Sequence, residues 1–289
     1  DRPGHITSAL AAYPDLGCTG GPYEVATTYG VHKEVLCVGN EQSLRFAKDV
    51  LSEIIELFPS HYIHVGGDEC PRDRWQQCPK CQALIHNNGW KDTKEHKAED
   101  KLQSYFMTEV ERFVNSKGRQ IIGWDEILEG GLAPNATVMS WRGTENGIKA
   151  AEMQHDVIMP PAGITYFSGR QLLELGGNRG VRRVYDFKIC PDTLSEAAAK
   201  HIIGVQACLW SERIDTPERA EYLILPRLAA LSELGWADPE QHDFDAFMDR
   251  LYRLITVYDK SHYTYSEHVF QITENFRTDT CLLYTSDAA

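Results

Sequence analysis

The sequence predicts an α/β protein, and two observations make a (β/α)8 TIM barrel its expected architecture. Amphipathic helical segments alternate along the chain with short apolar runs, which is the pattern of strand–helix units built on a parallel sheet. Four of the apolar runs also end in acidic or aromatic residues, and a barrel of this kind builds its active site from the carboxyl ends of its strands. A doubly wound sheet is the alternative that the alternation by itself leaves open.

Two helix–strand pairs open the predicted sheet. Residues 41–58 space their apolar side chains along one helical face, and the strand 61–65 follows directly. Residues 98–117 repeat the helical pattern, and Gly118 occupies the position that glycine prefers just after a helix end. The strand 120–124 comes next.

The remaining predicted elements follow the same rule. Three more apolar runs are interpreted as strands, and two amphipathic segments close the ordered part of the chain. The strands are residues 137–141, 156–159 and 202–210, and the helices are residues 217–235 and 244–259.

Composition excludes some classes of partner. The chain has 289 residues, 42% of them hydrophobic, which is enough for a large core. Its formal net charge of −13 argues against a nucleic-acid partner, because phosphate backbones are bound by basic surfaces. No apolar run approaches the roughly 20 residues of a membrane-spanning helix. The sequence does not indicate an oligomeric state.

The cysteines do not predict a metal site. Cys78 and Cys81 have the two-residue spacing of a zinc knuckle, and Cys70 lies nearby. A zinc site needs a fourth ligand, and no second pair supplies one at knuckle spacing. We therefore interpret these cysteines as free thiols or as a local disulfide.

The ends of four predicted strands carry the candidate chemistry. A single tryptophan at such a position could be an ordinary core residue, and a single acid could be a charge at a helix N-terminus. These explanations do not account for acids or tryptophans at the ends of four strands. Tryptophan faces stack on sugar rings and carboxylates act on glycosidic oxygens, so the set favours glycoside hydrolysis. The four ends are Asp68-Glu69, Trp124-Asp125-Glu126, Ser140-Trp141-Arg142 and Trp210-Ser211-Glu212.

Asp68 and Glu69 are expected to act on different parts of one substrate. Adjacent residues of an extended chain point to opposite sides, so the two carboxylates should not face each other across one bond.

The motif His64-Val-Gly-Gly-Asp-Glu69 resembles the signature of the family 20 glycoside hydrolases, the β-N-acetylhexosaminidases. Other segments agree in order, and the resemblance extends from residue 1 to about residue 275. They are Asp1-Arg-Pro-Gly-His5, Gly123-Trp-Asp-Glu126, Ser140-Trp-Arg-Gly143, Tyr166-Phe167 and the run from Gly204 to Glu212.

The resemblance implies catalytic roles for Asp68 and Glu69. Members of this family use the sugar's own 2-acetamido oxygen as the nucleophile. Glu69 would protonate the leaving oxygen and later activate water. Asp68 would orient the acetamido group and stabilise the positive charge on its nitrogen. Gly66 and Gly67 would permit the close backbone approach that brings both side chains to the site.

Six further residues are implied to bind substrate. Three tryptophans would form the acetamido pocket and the sugar platform, a tyrosine would bind the acetamido oxygen, a glutamate would bind hydroxyls, and a histidine would tune the general acid. They are Trp124, Trp141, Trp210, Tyr166, Glu212 and His5. Ser168 stands where the family has an aspartate. No cofactor and no metal is implied.

The resemblance also sets expectations for the whole chain. The sequence begins at the end of the family's third barrel strand, so we expect an N-terminally truncated barrel over residues 1–276 and a non-native or unstructured tail over 277–289. Whether this chain alone is active stays open. The expected substrate is a glycan with a terminal N-acetylglucosamine or N-acetylgalactosamine, and the family favours a periplasmic or extracellular location.

Two alternatives remain at this point. A non-catalytic carbohydrate-binding fragment would keep the tryptophans without using the acids. A metal-dependent hydrolase could use His64, Asp68, Glu69 and the nearby cysteines, and it would lose activity with a chelator.

Overall fold

A computed structural model of the protein describes residues 2–168 and 179–270. The chain divides into two compact units. The sheet unit comprises Asp1–Ala162 and Ile189–Val205, and the helical unit comprises Gly163–Lys188 and Gln206–Ala289. The domain spanning 1–276 stays a prediction, and the predicted tail, 277–289, lies outside the described residues.

The sheet unit contains a five-stranded parallel sheet, as the alternating pattern predicts. Its strands pair in sequence order, and β1 and β5 each pair on one side only among the described strands, so the sheet is open. The strands are β1 (Tyr62–Gly66), β2 (Gln120–Trp124), β3 (Thr137–Met139), β4 (Val157–Met159) and β5 (Ile202–Val205).

Strands β3 and β5 end earlier than predicted, and the prolines after β4 explain why. Pro160 and Pro161 follow Met159 directly and have no N–H to continue the ladder. Met159 pairs with Val205, so β5 loses its partner at that residue instead of running to residue 210. On its other side, β4 can accompany β3 only as far as Met139.

Twelve α-helices lie in the described residues. They are α1 (Thr7–Ala12), α2 (Glu41–Leu57), α3 (Asp73–Gln77), α4 (Pro79–Asn87), α5 (Ala98–Ser116), α6 (Glu145–Glu152), α7 (Ala162–Thr165), α8 (Arg179–Tyr185), α9 (Glu196–Ala199), α10 (Pro217–Ile224), α11 (Arg227–Trp236) and α12 (Phe244–Lys260). Of those in residues 2–168 and 179–270, none combines the length and apolarity that crossing a bilayer requires.

The long helices begin and end where local chemistry directs. The side chain of Asn40 accepts a hydrogen bond from the Gln42 amide at the start of α2. The side chain of Asp100 accepts from the Lys97 amide, 2.9 Å away, at the start of α5. After α5, Gly118 has a φ of +72°, the left-handed geometry predicted for that position.

The prediction of one helix over residues 217–235 is wrong. Leu225 is extended, with a ψ of 134°, and separates α10 from α11. Pro226 causes the break, because its ring disfavours a helical residue before it and it cannot donate the backbone hydrogen bond.

A buried arginine follows this break inside the helical unit. Nη2 of Arg227 donates to the carbonyl oxygens of Leu223, 2.6 Å away, and Phe167, 2.9 Å away. Its guanidinium carbon also lies 4.4 Å from the centre of the Phe167 ring. Burial lowers the pKa of Arg227 to about 10. The side chain therefore ties α11 to the segment that carries Phe167.

We expect Arg227→Met to lower the free energy of unfolding by about 2 kcal/mol, because it leaves two buried carbonyl groups without this donor. Urea unfolding checks the value. Arg253→Met, at an exposed position of α12, is the matched control and should stay within about 0.5 kcal/mol of the wild type. Equal effects of the two substitutions would contradict a structural role for Arg227.

Candidate active site

The predicted catalytic residues follow the carboxyl end of β1. Strands β1, β2 and β3 run parallel, so their carboxyl ends lie at one edge of the sheet. Asp68 and Glu69 follow β1 at this edge, a 3₁₀ turn over Asp125–Leu128 follows β2, and Trp141 lies just past β3. The fold therefore gathers three of the predicted strand ends.

Two glycines turn the chain after β1. Gly66 and Gly67 have φ values of +84° and +101°, which favour glycine over residues with side chains. A Cβ atom on Gly67 would lie only 2.5 Å from Cγ2 of Ile127. The Gly67 carbonyl oxygen accepts from Nε2 of the buried Gln103, 2.7 Å away. The turn is thus fixed by close packing, in agreement with the predicted close approach.

His5, Asp68 and Glu69 meet at one point. Nε2 of His5 lies 3.2 Å from Oδ2 of Asp68 and 3.4 Å from Oε2 of Glu69. The expectation that the two carboxylates point to opposite sides is wrong, because Glu69 is not extended: its φ is +44°. His5 is also left-handed, with a φ of +48°. Strained geometry of this kind at residues with side chains is typical of functional sites.

The charges of this group favour a protonated histidine. The hydrogen bond with Asp68 raises the pKa of His5 above its ordinary value of 6.5, and the charges of Asp68 and Glu69 act in the same direction, although burial opposes them. The side chain of Asp68 is 15% exposed and that of Glu69 is 40% exposed. Asp68 is therefore the more enclosed acid of the pair, and Glu69 is the more exposed one.

One oxygen of Asp68 is buried and lacks a hydrogen-bond partner. No group in residues 2–168 and 179–270 donates to Oδ1, while Oδ2 faces His5. A buried acceptor without a donor costs about 1–3 kcal/mol, so native proteins seldom leave one without a reason. An N–H or O–H group of a bound molecule would satisfy this oxygen.

Trp141 is oriented by a buried acid. Its indole Nε1 donates to Oε2 of Glu126 over 2.9 Å, and Glu126 is 7% exposed. Burial, reinforced by the neighbouring Asp125, raises the pKa of Glu126 to about 7. Trp124 lies close by in sequence, and its ring centre is 4.8 Å from that of His64. Of the two predicted tryptophans in the sheet unit, Trp124 is the last residue of β2 and Trp141 lies two residues after β3.

A second network holds the turn after β2. The fully buried Asp125 accepts hydrogen bonds from Nε of Arg142, 2.9 Å away, and from Nδ2 of Asn146, 2.7 Å away. Nη1 of Arg142 also donates to Oε1 of Glu129 over 3.0 Å. The sequence prediction named these strand ends but gave Glu126 and Arg142 no role. The sequence does carry a signal for these contacts. Acids follow Trp124 at the end of one strand, and Arg142 follows Trp141 after the next.

The other predicted residues lie in the helical unit. The rings of Tyr166 and Trp210 are 6.0 Å apart, and Tyr166 forms a parallel bridge with Cys208. Trp210 is 38% exposed, and Glu212 is exposed as well. The helical unit therefore brings two of its three predicted site residues together.

Comparisons with known proteins identify relatives. Residues 1–239 match the family model for the catalytic domain of glycosyl hydrolase family 20. A β-hexosaminidase of Porphyromonas gingivalis is 43% identical over 258 residues, which cover 87% of this chain and 32% of that protein. A β-hexosaminidase of Vibrio furnissii is 31% identical over 245 residues, which cover 81% of this chain and 39% of that protein.

A solved structure has a similar fold. It is a family 20 exo-β-N-acetylglucosaminidase from Vibrio harveyi in complex with N-acetylglucosamine, with a TM-score of 0.77 and 26% identity, covering 92% of this chain and 42% of that one. The family match and this likeness confirm the predicted α/β barrel class, although the five described strands form an open sheet. The chain spans a third to two fifths of the length of the two relatives above.

We expect Asp68→Asn to lower the pKa of His5, because the substitution removes the negative charge of its main partner. NMR titration of the imidazole checks this, with the His5 signal assigned by its loss in His5→Gln. Glu69→Gln should lower the His5 pKa less, since Asp68 makes the hydrogen bond. A His5 pKa that is the same in the wild type and in Asp68→Asn would contradict the described contact.

Glu126 should make stability fall as the pH rises. The pKa of this acid is about 7 in the folded protein against an ordinary 4.5, so the folded state holds the proton more tightly between these values. The contribution of Glu126 to the free energy of unfolding is then complete below pH 4.5 and falls by up to about 3 kcal/mol as the pH rises through 7.

Glu126→Gln keeps an acceptor for Trp141 and removes this proton. Urea unfolding at several pH values should show the wild type losing stability relative to this variant between pH 4.5 and 7. Glu152→Gln, at an exposed position of α6, should track the wild type. A constant difference between wild type and Glu126→Gln over that range would contradict the raised pKa.

Proposed function

The chain belongs to glycosyl hydrolase family 20, and we propose that the protein removes terminal β-linked N-acetylhexosamine from glycans with retention of configuration. The observation that carries the proposal is the buried Oδ1 of Asp68, an acceptor to which no described residue donates, in a carboxylate that shares the contact of His5 with Glu69. The names of the relatives, β-hexosaminidases, and the N-acetylglucosamine bound in the Vibrio harveyi structure support this class of substrate.

In the first step, Asp68 positions the nucleophile that the substrate carries. Oδ1 of Asp68 accepts a hydrogen bond from the N–H of the 2-acetamido group, which turns the acetamido oxygen toward the anomeric carbon. That oxygen forms a bond to the anomeric carbon while the glycosidic bond breaks and Glu69 gives its proton to the leaving oxygen. The positive charge that develops on the acetamido nitrogen lies against the carboxylate of Asp68.

In the second step, Glu69 acts as a base. Its carboxylate takes a proton from water, the water oxygen bonds to the anomeric carbon, and the acetamido oxygen leaves. Two inversions at the anomeric carbon give net retention. Because Glu69 is the more exposed acid, it is the one that can exchange protons with the leaving group and with water.

His5 separates the tasks of the two acids. Its shorter contact is with Asp68, and the imidazole nitrogen, 3.2 Å from Oδ2, fixes the direction of that carboxylate. His5 is therefore a positioning residue for Asp68 in this proposal.

Aromatic side chains provide the apolar surfaces that a sugar needs. Trp141, held by Glu126, offers a ring of fixed orientation in the sheet unit. For the helical unit, the family resemblance implies that Trp210, Tyr166 and Glu212 also bind sugar, and these roles stay predictions. The mutual contact of Tyr166 and Trp210 supports a shared role.

A metal-dependent hydrolase is the second candidate, and one observation favours it. His5, Asp68 and Glu69 each offer a ligand atom, and these atoms all lie within 4.8 Å of one another. A divalent cation held there would activate water directly, and the acetamido group of the substrate would not be needed.

Activity on two aryl glycosides distinguishes these functions. We expect the 289-residue chain to cleave an aryl β-N-acetylglucosaminide and not the matching aryl β-glucoside, since only the first carries the nucleophile. Asp68→Asn should lower kcat by about 10²–10³-fold, as the loss of charge stabilisation in a transition state does. Glu69→Gln should lower kcat by about 10²–10⁴-fold, as the loss of a general acid does.

Asp73→Asn is the matched control, because Asp73 follows the same strand but pairs with Lys33 on the surface. It should leave kcat unchanged. Equal cleavage of the two glycosides would contradict substrate participation and would favour the metal-dependent reaction, which does not need the acetamido group. Binding of the amino sugar without any cleavage would leave only a carbohydrate-binding function.

A further inference from the structure

Four cysteines from three separate segments meet in the sheet unit. The sulfur atoms of Cys18, Cys37, Cys78 and Cys81 all lie within 4.8 Å of one another. Cys37 Sγ is 3.6 Å from Cys78 Sγ and 3.8 Å from Cys81 Sγ. Three of these cysteines are buried, and Cys18 is half-buried. We call this set the four-thiol cluster.

The spacing of the sulfurs is that of a metal site. Four sulfurs at about 2.3 Å from a tetrahedral zinc ion lie about 3.8 Å from one another, which matches the two measured separations. A disulfide would instead bring two sulfurs to about 2.05 Å, and all four cysteines are free thiols. Tetrahedral sets of four sulfurs are typical of zinc and of iron–sulfur sites.

The backbone is arranged to bring the segments together. Gly17 pairs with Leu36 in an antiparallel bridge, and the Cys37 amide donates to the Leu16 carbonyl over 2.8 Å, so Cys18 and Cys37 lie on neighbouring segments. Cys78 and Cys81 lie at the start of α4 with the two-residue spacing of a metal knuckle.

Glycine permits the third segment to approach. A Cβ atom on Gly39 would lie 2.5 Å from the Cys81 amide nitrogen, so the segment after Cys37 passes directly over the start of α4. The Gly39 amide donates to Cys81 Sγ over 3.4 Å. Hydrogen bonds of this kind orient metal ligands.

We propose that the four-thiol cluster binds one zinc ion through four thiolates and has a structural role. The cysteine thiols lose their protons to solvent as the ion binds, and no position remains for water or substrate, so the site is closed and takes no part in catalysis. This inference is independent of the proposed glycosidase activity.

The surroundings explain why such a site would be needed. Residues 20–34, all of which are described, form neither helix nor strand. A zinc ion would tie the two ends of this segment to α4, and its binding energy would act as folding energy. The Leu36 amide donates to the Pro3 carbonyl over 3.0 Å, so the same tie supports the segment that carries His5.

Sequence spacing could not find the fourth ligand. Cys70, which lies near Cys78 and Cys81 in sequence, is not part of the four-thiol cluster, whereas Cys18 and Cys37 complete it from far away along the chain. The cysteines are free thiols, which is one of the two sequence interpretations, and the local disulfide is not formed. The four-thiol cluster itself could not be predicted, because two of its members are distant in sequence.

Metal content and X-ray absorption of the purified 289-residue chain, produced with zinc in the medium, test the proposal. We expect about one zinc per chain, with an absorption spectrum of four sulfurs at about 2.3 Å. Cys37→Ser should lose most of this zinc, and Cys190→Ser, outside the cluster, should retain it. Chelation of the wild type should also lower its melting temperature.

The outcomes are decisive without any activity measurement. A wild-type chain without stoichiometric zinc, a zinc ion with nitrogen or oxygen ligands, or bound iron would each overturn the proposal, as would disulfides among the four cysteines or full zinc retention in Cys37→Ser. If Cys37→Ser does not fold, the wild-type absorption spectrum alone decides. Zinc with an inactive chain would contradict only the proposed function, and an active chain without zinc would contradict only this inference.

Discussion

The arrangement of the site depends on the sharp turn that ends β1. Gly66 and Gly67 leave the extended conformation, and the pairing register between β1 and β2 shifts between His64 and Gly66. Asp68 and Glu69 would otherwise alternate across the sheet, as neighbours in a strand do. The turn instead brings both carboxylates to one imidazole nitrogen. Ile127 occupies the space that a side chain at position 67 would need, so only glycine can occupy this position in the turn.

Near that turn, the acids that follow β2 are held by hydrogen bonds from protein side chains, without any ligand. Asp125 has two side-chain donors and Glu126 has an indole, so neither needs a ligand to be satisfied. Oδ1 of Asp68 differs, because no described residue donates to it. These strand ends therefore combine acids held by fixed donors with an acceptor, Oδ1 of Asp68, that no described residue satisfies, and fixed groups of this kind are what electrostatic preorganisation requires.

Features that depend on neighbouring residues could be predicted from the sequence, and features that depend on distant ones could not. Strand β2 has the predicted bounds, and Gly118 ends α5 as expected, because periodicity and capping are local signals. The signal of Pro226 was equally local and was missed. The left-handed Glu69 and the meeting of Cys18 with Cys81 follow from tertiary packing, which a single sequence does not encode at any fixed spacing.

The left-handed backbone of Glu69 also has an evolutionary consequence. A residue with a Cβ atom in that conformation costs of the order of 1 kcal/mol, which glycine would avoid and asparagine would reduce. Under the proposed function, selection for activity therefore holds glutamate at a position where folding alone would favour another residue. In a duplicated copy released from that selection, position 69 would drift toward glycine or asparagine, and the copy would become a more stable protein as it lost its acid.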